Sequence, residues 1–359
     1  MMKHADMSRG ARLAAHSAVS TSLALRSDHQ VRDLVEAAVP LGSGIGGRSM
    51  LLEVDGTPVF VKRIPLTDLE RRPEHIRSTA NIFGLPAFCQ YGIGGPSFGA
   101  WRELAAHTMT TNWVLADGYQ GFPLMYHWRV LPDEVQPLPE ELADVERAVA
   151  YSGGGAEVRH RIEALQQATA SVALFLEYIP RNVHQWLGEQ LKAGDEAADR
   201  ACSLVESELA AGIAYMNARG LLHFDAHFEN ILTDGRRLYF ADYGLAISSR
   251  FDLSRADADF FDRHRGYDRD YTVSYFANWL VTALSGAAGD DRAALVRGYA
   301  RGEPPTGIPA AAAAIITRDA RLADVMADFL DRLRRENKAT PYPLEAIRRA
   351  HAAPNSPLS

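Results

Sequence analysis

The stretch that decides the fold runs over residues 221–244 and reads LLHFDAHFENILTDGRRLYFADYG. Asp225 stands five residues before Asn230, and two short apolar runs then flank the dipeptide Asp234-Gly235. An Asp-Gly pair between apolar runs is typical of a two-residue hairpin turn, and the second run leads to Asp242. We therefore expect a loop, a hairpin and a second loop that present Asp225, Asn230 and Asp242 together.

These residue types suit phosphoryl transfer from ATP, which needs cations on the phosphates and a group that orients the attacking hydroxyl. The segments 223–230 (HFDAHFEN) and 242–244 (DYG) resemble the catalytic loop and the metal motif of the protein-kinase-like superfamily. The first has phenylalanine where protein kinases usually have arginine, and the second has tyrosine in place of phenylalanine. The resemblance implies that Asp225 orients the acceptor hydroxyl, that Asn230 and Asp242 hold Mg²⁺, and that ATP is the phosphate donor.

A glycine-rich pattern, G-x-G-x-x-G, is formed by Gly42, Gly44 and Gly47. Alone it also fits a dinucleotide-binding fold, in which such glycines connect a strand to a helix. Here an apolar run, an Asp-Gly turn and a second apolar run follow, which predicts strand, turn and strand instead. This context argues against a nicotinamide enzyme and favours a hairpin whose glycines approach phosphates without side-chain obstruction.

Lys62 lies in the second of these predicted strands, where the resemblance implies a contact with the α- and β-phosphates. Kinases of this superfamily pair that lysine with a glutamate on a helix, and we assign the role to Glu103 because it lies in a helical stretch. The separation of 41 residues from Lys62 is longer than protein kinases usually show. Glu70 and Glu74, which bracket Pro73, therefore remain rivals.

The run 172–176 (VALFL) reads as a buried strand that ends at Glu177. By resemblance the chain then forms the connector between two lobes. Backbone groups near Glu177 and Ile179 would hydrogen-bond the adenine of ATP.

We expect an α+β, bilobal, protein-kinase-like fold, with a β-rich N-lobe that contains one main helix and a mostly helical C-lobe. The glycine-rich stretch 92–99 is expected to form a flexible flap. The predicted parts are a disordered extension at 1–27, an N-lobe at 28–178 with insertions near 66–100 and 132–170, a C-lobe at 179–352, and a disordered tail at 353–359.

The acceptor is expected to be the hydroxyl of a small molecule. His227 stands two residues after Asp225, where protein serine/threonine kinases typically carry lysine, and we count it among the catalytic candidates. The resulting D-x-H-x-x-N looks like the loop of aminoglycoside phosphotransferases and related small-molecule kinases, and A-P-E, which ends a protein-kinase activation segment, is absent.

Two alternatives stay open. The glycine hairpin and the sequence DYGLA also fit an atypical bacterial serine/threonine protein kinase. The second alternative is a pseudokinase that serves only as a binding module, although Lys62, Asp225, Asn230 and Asp242 are all present.

Composition excludes several classes of protein. The formal net charge of −7 argues against a general nucleic-acid binder, which would show a basic face. No apolar run approaches the ~18 residues of a membrane span. The two cysteines, Cys89 and Cys202, are too few for a disulfide framework and suit a reducing cytoplasm, where we expect the protein.

Overall fold

The computed structural model describes residues 7–44, 47–92 and 95–352. Its fold is α+β, about 52% helical, with one five-stranded antiparallel sheet and two small sheets in the described part of the chain. The expected α+β class is confirmed.

The large sheet has the strand order β1-β2-β3-β5-β4. The predicted strand, turn and strand after the glycines is confirmed, since Asp55 and Gly56 adopt positive φ in the turn between β2 and β3. The bounds are β1 (Val39–Gly44), β2 (Gly47–Val54), β3 (Thr57–Leu66), β4 (Met125–Pro132) and β5 (Ala170–Glu177).

Most of the remaining described chain is helical, and no helix in it is both long and apolar enough to cross a membrane. The helices are α1 (Arg9–Ala24), α2 (Asp28–Glu36), α3 (Ala100–Leu115), α4 (Glu140–Ala143), α5 (Val145–Tyr151), α6 (Ala156–Gln166), α7 (Val183–Lys192), α8 (Asp195–Ala218), α9 (Arg255–Arg263), α10 (Tyr267–Ser285), α11 (Gly289–Ala300), α12 (Ala310–Arg335) and α13 (Leu344–Ala352). Five short strands lie among them: β6 (Arg181–Asn182), β7 (Leu221–Leu222), β8 (Ile231–Thr233), β9 (Leu238–Phe240) and β10 (Ile247–Ser248).

The prediction of a disordered extension over 1–27 is wrong for α1. Ser8 caps this helix by accepting a hydrogen bond from a backbone N–H of its first turn. Val19 and Leu23 are fully buried, and the helix packs against β4. Apolar burial thus fixes a segment whose small residues gave little helical pattern, whereas residues 1–6 lie outside the described part.

The hairpin after the catalytic loop is also longer than predicted. Thr233 of β8 pairs with Leu238 of β9, so four residues connect the strands instead of two. The Asp234 carboxylate accepts the backbone N–H groups of Arg236 and Arg237 at 2.8 and 2.9 Å. These bonds stabilise a wider loop that begins at the expected aspartate.

The two predicted insertions pack against each other. Phe83, Leu85 and Cys89 from the first share a small apolar core with Val149 and Ile162 from the second. The first contains only short 3₁₀ turns, whereas α4, α5 and α6 occupy the second. Part of the predicted flap, residues 93–94, and the predicted tail at 353–359 lie outside the described residues.

A continuous apolar core connects the sheet to the helical region. It contains Val61 of β3 and Phe175 of β5 as well as Ile213 of α8, Phe240 of β9 and Tyr243. This shared core fixes the position of the loop 223–230 relative to the strand that carries Lys62.

Candidate active site

Three charged residues that are distant in sequence meet at one point. The Lys62 ammonium on β3 donates to Glu103 Oε1 at 2.7 Å and to Asp242 Oδ1 at 2.8 Å. Glu103 lies in the first turn of α3, and Asp242 follows β9. The predicted pairing of Lys62 with Glu103 is therefore confirmed.

The electrostatics of this cluster follow from burial and from opposite charge. Burial alone would lower the pKa of Lys62, but Asp242 and Glu103 outweigh it, and the pKa lies above its usual value. Burial raises the pKa of Glu103 to about 7 against the opposing effect of Lys62. Although burial also acts to raise the pKa of Asp242, Lys62 lowers it to about 2, so this carboxylate is ionised at neutral pH. Its side chain is 40% exposed and hence accessible to a ligand.

Glu70, the rival partner for Lys62, has another structural role. Its carboxylate accepts from the backbone N–H of Ala100 at 3.0 Å and forms an ion pair with Arg161 at 2.9 Å. It also accepts from the Thr67 hydroxyl at 2.7 Å. Glu70 thus joins the two insertions to the start of α3, and it orients the helix that carries Glu103.

The loop 223–230 brings Asp225 and Asn230 together. The Asn230 amide nitrogen donates to the backbone carbonyl and to Oδ2 of Asp225, both at 3.0 Å. Burial and the nearby Asp242 raise the pKa of Asp225 to about 7. With 22% of its side chain exposed, Asp225 can meet a ligand and can accept a proton near neutral pH.

Two buried residues, Asp268 and His223, hold this loop in place. The role of Asp268 was not predicted from the sequence. Asp268, in the first turn of α10, accepts the backbone N–H groups of His223 and Phe224 at 2.7 and 2.8 Å. His223 in turn bonds the Ala241 carbonyl through Nε2 at 3.0 Å, next to Asp242. Asp268 lies in the sequence GYDRDY, which carries no local signal for a contact with a loop 44 and 45 residues away.

The His227 ring lies beside the Asp225 carboxylate without a hydrogen bond to it. Its Nε2 is 3.8 Å from Asp225 Oδ1, which is too long for a hydrogen bond. Its Nδ1 accepts from the backbone N–H of Glu229 at 3.2 Å, and burial lowers the pKa of the ring. A neutral His227 therefore shapes the loop, and its predicted catalytic role stays a prediction.

The contact between Gly92 and Asp225 was also not predicted from the sequence. A Cβ added at Gly92 would stand 2.4 Å from Asp225 Oδ1. The first insertion therefore approaches the carboxylate so closely that a larger residue at position 92 would require the carboxylate or the insertion to shift.

The predicted glycines lie where β1 and β2 meet. Gly42 and Gly44 belong to β1 and Gly47 begins β2, with residues 45–46 outside the described part. Gly47 has a φ of 113°, and a Cβ there would stand 2.1 Å from the Arg63 carbonyl oxygen. The structure does not bring these glycines into hydrogen-bond contact with Lys62, and phosphate binding by them stays a prediction.

The end of β5 is fixed by an arginine from α1. Arg12 forms a two-point ion pair with the Glu177 carboxylate, with both contacts at 2.8 Å, and donates to the carbonyls of Gln120 and Phe122. The Glu177 N–H donates to the Leu124 carbonyl at 2.8 Å, so it is not available for adenine. Adenine binding by the Glu177 carbonyl and by the backbone of the buried Ile179 stays a prediction.

The residues present fit a magnesium ion that is shared with a nucleotide. Magnesium in such sites usually takes one or two carboxylates and completes its coordination with phosphate oxygens and water. Asp242 is ionised and accessible, and the Asn230 nitrogen is engaged with Asp225, which leaves the amide oxygen for a cation. Asp242 and Asn230 would be its protein ligands. Within the described ranges no three or more His, Cys, Asp or Glu residues form a group that could hold a metal ion.

Comparison with protein-family models and with curated proteins found no match for this chain.

Proposed function

We propose that the protein is an ATP- and Mg²⁺-dependent kinase that transfers the γ-phosphate to the hydroxyl of a small molecule. The observation that carries the proposal is the meeting of Lys62 with Glu103 and Asp242, 41 and 180 residues away in sequence. A lysine held between two carboxylates beside an aspartate–asparagine loop matches the set of groups that protein kinases use for phosphoryl transfer.

Each side chain then has a distinct task. When bound, Mg·ATP would supply the phosphoryl group, and its cation would offset the charge of the phosphates. Lys62, oriented by Glu103, would bind phosphate oxygens, and Asp242 and Asn230 would hold the cation. Asp225 would take the proton of the acceptor hydroxyl. The hydroxyl oxygen then bonds to the γ-phosphorus while the bond from that phosphorus to ADP breaks and ADP leaves.

The same arrangement supports a bilobal, kinase-like organisation. The large sheet with α3 carries Lys62 and Glu103, whereas the helical region carries Asp225, Asn230 and Asp242. A nucleotide that contacts both sets would lie between the sheet and the helices, against the end of β5.

A small acceptor is favoured over a protein by the surroundings of Asp225. Gly92 lies against the carboxylate, and His227 stands on another side of it. These neighbours leave only 22% of the Asp225 side chain exposed, which suits a small acceptor better than a protein segment.

The test is transfer of labelled γ-phosphate from ATP to a metabolite panel, with a generic protein substrate alongside. We expect Asp225→Asn and Asp242→Ala to lower turnover by about 10²- to 10⁴-fold while the fold is kept. Glu229→Gln, an exposed carboxylate in the same loop, is the matched control and should retain activity.

Several outcomes would contradict the proposal. Full activity of Asp225→Asn would exclude the assigned base. Phosphorylation of protein serine or threonine without any metabolite would identify a protein kinase, and nucleotide binding without transfer would identify a pseudokinase.

A further inference from the structure

The segment 87–92 of the first insertion passes directly beside Asp225. It consists of a 3₁₀ turn followed by Tyr91 and Gly92, and Gly92 lies against Asp225 Oδ1. The Tyr91 hydroxyl and the His264 ring share a hydrogen bond of 2.7 Å. This bond anchors the side chain of Tyr91, whereas the position of Gly92 depends on the backbone.

A lysine 247 residues further along the chain holds that backbone. Lys338 follows α12, is fully buried, and donates from its ammonium to the Tyr91 carbonyl oxygen at 2.5 Å. The Tyr91 carbonyl and the nitrogen and Cα of Gly92 belong to one planar peptide unit. Fixing the carbonyl therefore also fixes Gly92, and with it the contact between Gly92 and Asp225.

The ammonium of Lys338 is buried without an opposite charge in contact with it. Among the residues that the structure describes, no carboxylate oxygen lies within 4.0 Å of Lys338 Nζ. Burial lowers the pKa of Lys338 to about 8, against the opposing effects of Cys89 and Asp225, so the side chain is still largely charged at neutral pH. An apolar side chain would fill the space without the cost of burying a charge. The bond to the Tyr91 carbonyl is therefore what explains a lysine at this position.

The Asp225 carboxylate is confined at both of its oxygens. Asn230 donates to Oδ2 at 3.0 Å, and Gly92 lies against Oδ1. A carboxylate that cannot turn presents its lone pairs to the acceptor hydroxyl in one fixed direction, and such orientation accounts for much of the rate of an enzymatic step. The bond between Lys338 and Tyr91 thus bears on the orientation of Asp225.

We propose that Lys338 is a positioning residue for phosphoryl transfer, which keeps Gly92 against the Asp225 carboxylate by holding the Tyr91 carbonyl, an inference that rests on the function proposed above. Lys338 acts through the segment 87–92 and touches neither nucleotide nor acceptor, because its side chain is fully buried. Its loss should therefore lower the rate of transfer and leave nucleotide binding in place.

Release of labelled phosphate from Mg·ATP, with water in the place of the acceptor hydroxyl, tests this role. Lys338→Met keeps the apolar stem and removes the donor, and we expect kcat to fall about tenfold or more while KM for ATP changes less than about twofold. Lys62, which would bind the nucleotide, is held by Glu103 and Asp242 and keeps its place. Lys192→Met, at an exposed lysine on α7, is the matched control.

A second variant displaces the ammonium without changing the lysine. A Cβ at Gly95 would stand 2.5 Å from Lys338 Nζ, so Gly95→Ala should push the ammonium off the Tyr91 carbonyl and lower kcat in the same way. Gly188→Ala, with open space around its Cβ position in α7, is its control. Lys338→Met and Gly92→Ala together should lower kcat by less than the product of the two single effects, because both act through one contact.

The position of the segment 87–92 can also be measured without catalysis, through Cys89 in its 3₁₀ turn. Cys89 is fully buried, and burial raises the pKa of its thiol to about 11, so it should react slowly with N-ethylmaleimide. Lys338→Met should speed the labelling of Cys89 about tenfold or more, since a segment that has lost its anchor opens more often. Labelling of the buried Cys202 in α8 should stay as in the unaltered protein.

The role of Lys338 and the proposed function fail in different ways. Unchanged kcat in Lys338→Met, a loss confined to KM for ATP, or independent effects of Lys338→Met and Gly92→Ala would each overturn the role of Lys338. Unchanged labelling of Cys89, or faster labelling of both cysteines, would do the same. A chain that transfers phosphate neither to water nor to any metabolite would overturn the proposed function, while faster labelling of Cys89 alone would still show that Lys338 holds the segment 87–92.

Discussion

Lys62 is the single residue on which the electrostatic balance of the site depends. Its ammonium forms ion pairs with two carboxylates at once. Lys62→Met therefore leaves both Glu103 and Asp242 without their cation. We expect a loss of about 3–5 kcal/mol in the free energy of unfolding, as for other broken buried pairs. Glu103→Gln should cost less, because Lys62 keeps Asp242.

A double-mutant cycle checks this by urea denaturation. Because the residues act as a unit, Lys62→Met/Glu103→Gln should cost less than the sum of the single changes, with a coupling of about 0.5–3 kcal/mol. Glu53→Gln, an exposed carboxylate on β2, is the control. Strict additivity would mean that the observed contacts contribute little.

Gly92 yields a prediction about turnover. The Cβ of Gly92→Ala would meet the Asp225 carboxylate, so either the carboxylate or the insertion must shift. Because small misplacements of catalytic groups can cost about 10²-fold, we expect kcat to fall strongly with little change in nucleotide affinity. Gly10→Ala, with open space around its Cβ position, is the control in steady-state assays. Unaltered kcat in Gly92→Ala would show that the contact does not constrain the carboxylate.

The roles of single residues could be predicted only where a local motif carried them. Asp225, Asn230 and Asp242 lie within one short stretch, and their grouping followed from it. Gly92 and Asp268 could not be assigned, because each acts through a contact with a segment more than 40 residues away. The choice of Glu103 over Glu70 followed from helical context alone.

Among the elements, α1 is the one whose structure and role were not predicted. Its sequence is rich in alanine and serine, and its burial rests on Val19, Leu23 and one arginine, too few for a clear apolar stripe. The partners of Arg12 lie 108 to 165 residues further on, which no local pattern can reveal.

Arg12→Ala should therefore be costly. It leaves the Glu177 carboxylate buried without its cation, and we expect a loss of about 3–5 kcal/mol in the free energy of unfolding together with a raised KM for ATP. Arg9→Ala in the same helix removes only an exposed ion pair with Asp117 and should cost about 1 kcal/mol or less. Chemical denaturation and initial rates measure both effects. Equal stability of the two variants would show that the ion pair between Arg12 and Glu177 contributes little.

In the whole molecule, the candidate site depends on two regions that meet only in the folded state. A ligand that contacts both stabilises the protein by mass action, about 2.7 kcal/mol at a concentration one hundred times its Kd. We expect Mg·ATP to raise the thermal unfolding midpoint and EDTA to remove most of that shift. Asp242→Ala should show no magnesium-dependent shift, whereas Asp259→Ala, an exposed aspartate, should behave as the unaltered protein. An equal shift in all three proteins would place the nucleotide elsewhere.

The ion pair between Arg12 and Glu177 also constrains how the chain folds as it is made. Arg12 leaves the ribosome 165 residues before its partner, a delay of roughly 8–33 s at common rates of synthesis. Until residue 132 has been added α1 has neither β4 nor Glu177 to pack against, and an isolated helix of this length is marginal in water. We expect α1 to be among the last elements to dock, although it is synthesised before β4 and β5. Nascent chains arrested before residue 177 should leave it open to proteases and chaperones.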